Sequence, residues 1–144
     1  MPPIVVVSDA SVALKWFHDA GEEEVDASRA LVDAYLGERI LLFVLDLTRY
    51  EIGNALLRGH AGASPESAAR VLEALREVCP SVSLDGDQLR LAAELAADHS
   101  LTFYDAAYAA VAQSRNALLA TLDQKLLSAG LGLRPSAVLG RIVT

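Results

Sequence analysis

The stretch "IVVVSDASVALKWF" runs from Ile4 to Phe17, and the change of rhythm inside it decides the fold. Ile4 to Val7 form an unbroken β-branched run, the pattern of a strand buried on both faces. From Ala10 onward the apolar residues fall at Val12, Ala13, Trp16 and Phe17, which is the spacing of one helix face. Asp9 lies at the junction of the two rhythms. The segment therefore reads as strand, carboxylate, helix.

That order recurs along the chain. Gly21 with Glu22, Glu23 and Glu24 reads as a loop and a solvated, acid-rich first turn, leading into a helix with Leu31, Val32, Tyr35 and Leu36. Ile40 to Leu45 is a second buried strand. Asp46 then reads as the cap of a helix from Leu47 to Gly59 that carries Leu47, Ile52, Ala55, Leu56 and Leu57, with Glu51 inside it. Ser64-Pro65-Glu66 opens another helix, Ser at N-cap and Pro at N1, whose apolar face is Val71, Leu72, Leu75 and Val78. Ser81 to Leu84 is a short third strand, and Asp85-Gly86-Asp87 is a turn before a helix with Leu91, Ala92, Leu95 and Ala96. Leu101 to Ala110, "LTFYDAAYAA", opens a further helix in which Thr102 is suited to N-cap and Asp105 to N3. Ala117 to Leu122 reads as a strand, Asp123 to Ala129 as a short helix ending at Gly130, and Leu133 to Val143 as an added edge strand.

Strands alternating with helices imply right-handed crossovers and a parallel sheet covered on both faces. The expected fold class is thus α/β, with a central parallel sheet of four to five strands, and 144 residues suit one domain over 1–144. In such sheets, groups just past the carboxyl ends of the strands converge on one crevice. Asp9 and Asp123 each follow a strand, so both are expected there. Glu51 and Asp105 sit in the first turn or two of helices, on otherwise core-facing segments.

Composition narrows the function classes. Ala and Leu dominate, 53% of the residues are hydrophobic and aromatic residues are few, which fits helices packed on a sheet and excludes a disordered chain. A single cysteine, Cys79, forms no intramolecular disulfide, and the opening Met-Pro-Pro-Ile has no signal-peptide character, so a cytoplasmic location is expected. No apolar run approaches the roughly 20 residues that cross a bilayer. A net charge of −7 argues against a protein that grips nucleic acid over its whole surface, and leaves room for a local site. All the basic residues but Lys15 and Lys125 are arginine, the cation suited to bidentate phosphate contacts and equally to surface ion pairs.

Each acid has an ordinary explanation taken singly. Asp9 and Asp123 suit helix caps, Asp105 suits a first turn, and Glu51 could pair with Arg49 or Arg58. Together they are harder to explain, because four carboxylates around one crevice repel by a few kcal/mol per close pair at an effective dielectric of about 20. A hard cation, Mg²⁺ or Mn²⁺, offsets that repulsion and suits oxygen ligands without His or Cys. The sequence has no cysteine pair and no His-x-x-x-His to hold zinc. A cation so held orients a water and neutralises charge on a phosphodiester, so phosphodiester hydrolysis is the natural chemistry.

Four segments then resemble, in order and spacing, the motifs of PIN domains: "VVSDASVALKWF" (Val6 to Phe17), "LTRYEIGNALLR" (Leu47 to Arg58), "LTFYDAAYAAVA" (Leu101 to Ala112) and "LLATLDQKL" (Leu118 to Leu126). The likeness extends from Val5 to about Leu127 and is nearest to the bacterial and archaeal VapC-type toxins. It implies a three-layer α/β/α fold and a metal-dependent endoribonuclease. By that resemblance Asp9, Glu51, Asp105 and Asp123 are the acidic tetrad, with Asp9 and Asp105 as direct ligands of Mg²⁺ or Mn²⁺. Glu51 and Asp123 would bind through water or orient the attacking water. Ser11 and Thr121 match hydroxyl positions beside the tetrad, and Asn54 a polar position near it. Leu122 and Gln124 depart from the pattern, standing where relatives often carry a small residue and a basic one. VapC-type proteins also imply an RNA substrate, a homodimer, and a small VapB-like antitoxin whose tail enters the acidic groove.

Two competing readings fit less of the sequence. A receiver-like signalling domain requires two adjacent acids after the first strand and a Lys after a late one; Ser8-Asp9-Ala10 has one acid, and Leu118 to Leu122 has no Lys. A PIN-like interaction module without activity would have no use for four acids, since a buried carboxylate without a cation costs stability.

Overall fold

A computed structural model describes residues 2–18, 23–59 and 62–142. Its strands are β1 (Ile4–Ser8), β2 (Ile40–Leu45), β3 (Ser81–Val82) and β4 (Leu118–Ala120). All pair in parallel, in the order β3-β2-β1-β4. Val6 pairs with Leu42 on one side and Leu118 on the other, so β1, like β2, is an interior strand. An unbroken apolar run is what a doubly paired, doubly covered strand requires.

The helices are α1 (Ala10–Ala13), continued by a 3₁₀ turn over Leu14–Trp16, then α2 (Val25–Leu36), α3 (Asp46–Arg58), α4 (Pro65–Val78), α5 (Gly86–His99), α6 (Phe103–Ser114), α7 (Gln124–Ser128) and α8 (Pro135–Leu139). From β1 the chain winds outward to β2 and β3, then crosses back to β4 on the other side of β1. Right-handed crossovers running in opposite directions put their helices on opposite faces. Accordingly Val6, Ile40, Leu42 and Val44 pack in one core with residues of α1 to α4 and α8, and Val7, Phe43, Leu45 and Leu119 in a second core with α5 and α6. The expected three layers are present, with four strands. Alanines at 106, 107, 109, 110 and 112 are all buried, so their small side chains let α6 lie close to its neighbours.

Three local expectations are corrected. Asp46 is the first residue of α3 rather than its cap: Leu45 holds the cap position, and the Thr48 hydroxyl accepts its N–H at 3.1 Å. Asp46 instead accepts the hydroxyls of Ser81 and Ser83 and lies 3.6 Å from Arg49, tying β3 to α3. The tail contributes one parallel bridge, Ala120 to Leu133, and then turns into α8, where Pro135 at the first turn favours helix over an edge strand. Of the acid-rich turn, Gly21 and Glu22 lie outside the described residues. Glu23 and Glu24 are more than a solvated turn: the first pairs with Arg134 and the second accepts the Ser136 N–H at 2.8 Å, so α2 and α8 are tied at this corner.

Candidate functional site

The winding direction reverses between β1 and β4, and in a doubly wound sheet the crevice forms beyond the carboxyl ends of such a strand pair. Asp9 stands at that point. It caps α1, its Oδ1 accepting the Val12 N–H at 3.2 Å and the Ser11 hydroxyl at 2.6 Å, and its Oδ2 accepts the Thr121 hydroxyl from the end of β4. The same Ser11 hydroxyl oxygen accepts the Leu122 N–H at 2.9 Å, and Thr121 Oγ1 accepts the Asp123 N–H at 2.9 Å. Ser11 and Thr121 thus sew the two loops together around one carboxylate.

Asp9 is 4% exposed, and burial pushes it up to about 6, above its ordinary 3.8. The three hydrogen bonds oppose the rise, and the charge of Glu51 adds to it. Burial disfavours the charged form of a carboxylate, and a positive charge joining it would offset that cost.

Asp123 caps α7, accepting the Leu126 N–H at 3.0 Å. Thr102 caps α6 through the Asp105 N–H at 3.1 Å, which fixes Asp105 in the first turn. Burial raises Asp105, and the Asp123 charge raises it further; the Thr102 hydroxyl and the Lys125 ammonium pull the other way. Burial likewise raises Glu51, with the charge of Asp105 adding and a hydrogen bond from Tyr108 opposing. Asp9 feels Glu51, Glu51 feels Asp105, and Asp105 feels Asp123, so the four acids are linked pairwise in a row. Glu51 pairs with neither arginine first considered for it, since Arg49 turns to Asp46 and the Glu51 carboxylate to Tyr108.

Asn54 is exposed one turn beyond Glu51, and no hydrogen bond joins it to the acids among the described residues. Gln124 carries no charge, and the cation felt by Asp105 is Lys125, one residue later. Two residues escaped the sequence reading. Tyr108 donates to Glu51 Oε1 at 2.7 Å, and Thr48 lies 2.7 Å from the Tyr108 hydroxyl. Their signal was present as spacing: Tyr108 is one helical turn past Asp105, and Thr48 one turn before Glu51.

Among the described residues no group of three or more His, Cys, Asp or Glu side chains stands close enough together to hold a metal ion by itself. The donor set still fits a hard divalent cation. Mg²⁺ keeps several of its waters and is held by one or two carboxylates rather than by an all-protein cage, and every donor here is a carboxylate or hydroxyl oxygen.

Residues 6–130 match the PIN domain model, and the chain belongs to the PIN domain family. Two relatives come from Pyrobaculum aerophilum. Exonuclease VapC9 is 37% identical over 110 residues, 72% of this chain and 82% of that protein. Ribonuclease VapC3 is 34% identical over 126 residues, 84% of this chain and 91% of that protein. A solved toxin–antitoxin complex from Klebsiella pneumoniae shares the fold at a TM-score of 0.64 and 14% identity, covering 90% of this chain and 97% of that one.

Proposed function

We propose that the protein is a VapC-type ribonuclease that hydrolyses RNA phosphodiester bonds internally, with Mg²⁺ or Mn²⁺ at the crevice formed by Asp9, Glu51, Asp105 and Asp123. The observation that carries this reading is Asp9, buried at the sheet's reversal point with both oxygens held and the charge of Glu51 acting on it. Asp9 and Asp105 are the direct ligands in this reading, and Glu51 and Asp123 act through water. A bound cation supplies neutralisation of charge on the phosphodiester and a coordinated water of lowered pKa. The chain's own residues supply the geometry: Ser11, Thr121 and the Val12 N–H fix Asp9, Thr102 fixes the turn that carries Asp105, and the Leu126 N–H fixes Asp123.

Family membership and the names of the two Pyrobaculum relatives support nuclease chemistry. One of those names says exonuclease, so the internal mode of cleavage calls for a direct test. Circular and linear single-stranded RNA of the same sequence are incubated with protein and Mn²⁺, with and without EDTA. Internal hydrolysis linearises the circle, EDTA stops it, and Asp9→Asn and Asp105→Asn each lower the rate by at least ~100-fold. An intact circle beside a shortened linear RNA establishes exonuclease action, and unchanged cleavage by both variants removes the site.

The proposed setting is a toxin–antitoxin pair. The Klebsiella complex supports it at the level of fold, and the motif likeness to VapC-type toxins supports a VapB-like antitoxin, a homodimer and a cytoplasmic location. No helix among the described residues is long and apolar enough to cross a membrane. Co-expression with a small open reading frame, should one adjoin the gene, followed by light scattering of the purified protein alone and in complex, tests partner and stoichiometry together.

A further inference from the structure

We propose that Tyr108 is a positioning residue for Glu51, acting through a directed hydrogen-bond chain that locks α3 to α6. The inference rests on the reading of the crevice as a cation site and adds to it a residue outside the acidic tetrad and its adjoining hydroxyls. The chain starts at the end of β2, where the Leu45 N–H donates to Thr48 Oγ1 at 3.1 Å. With its acceptor side engaged, the Thr48 hydroxyl has its proton available for the Tyr108 oxygen, 2.7 Å away. Tyr108 then donates to Glu51 Oε1 at 2.7 Å, so each link has one donor and one acceptor and the direction is fixed from backbone to carboxylate.

Position makes this more than a buried tyrosine finding a partner. Thr48 lies one turn before Glu51 on α3, and Tyr108 one turn after Asp105 on α6, so the chain joins the two helices that carry two of the four acids. Tyr108 is 1% exposed and Thr48 fully buried, which leaves neither hydroxyl free to turn to water. Glu51, on a long side chain with three rotatable bonds, would otherwise be the least fixed acid of the set. Holding Oε1 from behind leaves Oε2 as the oxygen with freedom to serve a cation or its water. Outer-shell partners of this kind orient metal-binding groups, and their loss costs about 10- to 100-fold in affinity or activity.

The test measures Mn²⁺ binding directly, from the electron paramagnetic resonance signal of the free ion, for the wild type, Tyr108→Phe, Glu51→Ala and the double variant. Tyr108→Phe keeps the ring and removes only the hydroxyl; its Mn²⁺ affinity is expected to fall about 10-fold. The double variant should bind no more weakly than Glu51→Ala alone, because a residue acting through Glu51 has nothing to act on once the carboxylate is gone. In RNA cleavage the Tyr108→Phe loss should fall on kcat and leave KM within about twofold. Thr48→Val, which removes the middle link, should weaken binding in the same direction by a smaller factor, and Thr48→Ser should restore it; this pair carries the test if Tyr108→Phe does not fold. Losses that add in the double variant, or wild-type affinity in both Tyr108→Phe and Thr48→Val, overturn the positioning role while leaving the site intact. A wild-type chain that binds no Mn²⁺ overturns the reading of the site and this inference with it.

Discussion

Thr121 and Asp9 are joined by a hydrogen bond across 112 residues of sequence, from the end of β4 to the end of β1. The bond lies where the two strands part, so one threonine hydroxyl fixes a buried carboxylate and, through its oxygen, the backbone that carries Asp123. Thr121→Val keeps the shape and removes the donor. It should cost about 1–3 kcal/mol of stability at pH 7, since the buried carboxylate loses a partner and gains none. Thr121→Ser should recover most of that loss. Urea denaturation of the three proteins side by side makes the comparison, and equal stability of the valine variant refutes it.

Gly132 bears on the same threonine from behind. A Cβ placed on it would stand 2.5 Å from the Thr121 methyl and 3.2 Å from the Leu119 carbonyl oxygen. Neither can yield easily: Thr121 is fully buried, and Leu119 O accepts the Leu133 N–H at 2.8 Å. Gly132→Ala is therefore expected to destabilise the protein by about 1–3 kcal/mol. Because the displaced group holds Asp9, Mn²⁺ affinity should fall as well. Gly86→Ala, at a position open to solvent, is the control and should leave Mn²⁺ affinity unchanged. A melting curve and a Mn²⁺ titration of each variant read both effects.

Asp9 predicts an inverted pH dependence in metal-free protein. Its folded pKa, about 6, lies above the ordinary 3.8, so the folded chain holds this proton more tightly than the unfolded chain. The contribution to stability is complete below about pH 4 and is lost as pH rises through 6, a span worth about 3 kcal/mol. In EDTA, the stability of wild type relative to Asp9→Asn should decline between pH 4 and 7. A flat difference across that window disproves the assignment.

Cation binding should reverse that penalty. Saturating Mn²⁺ at about 100 times its Kd contributes about 2.7 kcal/mol if only the folded state binds. The melting temperature of wild type should therefore rise as Mn²⁺ is titrated, and that of Asp9→Asn should not. At pH 5, where Asp9 is largely protonated, the wild-type gain should shrink. A gain of equal size in both proteins places the cation elsewhere.

Asp46 shows how far sequence reasoning reaches. Asp at the start of a helix is a good cap candidate, yet Thr48 caps the Leu45 N–H and Asp46 turns to Ser81 on β3 and Ser83 just past it. Those partners lie 35 and 37 residues away, and only strand order brings them close. The tail behaves similarly, since the bridge to Ala120 leaves Leu133 a single paired residue and Pro135 starts a helix.

By itself the sequence determined the alternation of strands and helices and the caps at Asp9, Ser64, Thr102 and Asp123, and it singled out the four acids as candidates. Each depends on residues within one or two turns of each other, where periodicity and capping act. Tertiary structure decided that β4 returns beside β1, that Ser11 and Thr121 close on one carboxylate, and that Tyr108 reaches Glu51 across 57 residues. Hydrogen bonds fall off within a few tenths of an ångström, and no local rule fixes the distance between side chains on separate elements until the strands are paired and the helices packed.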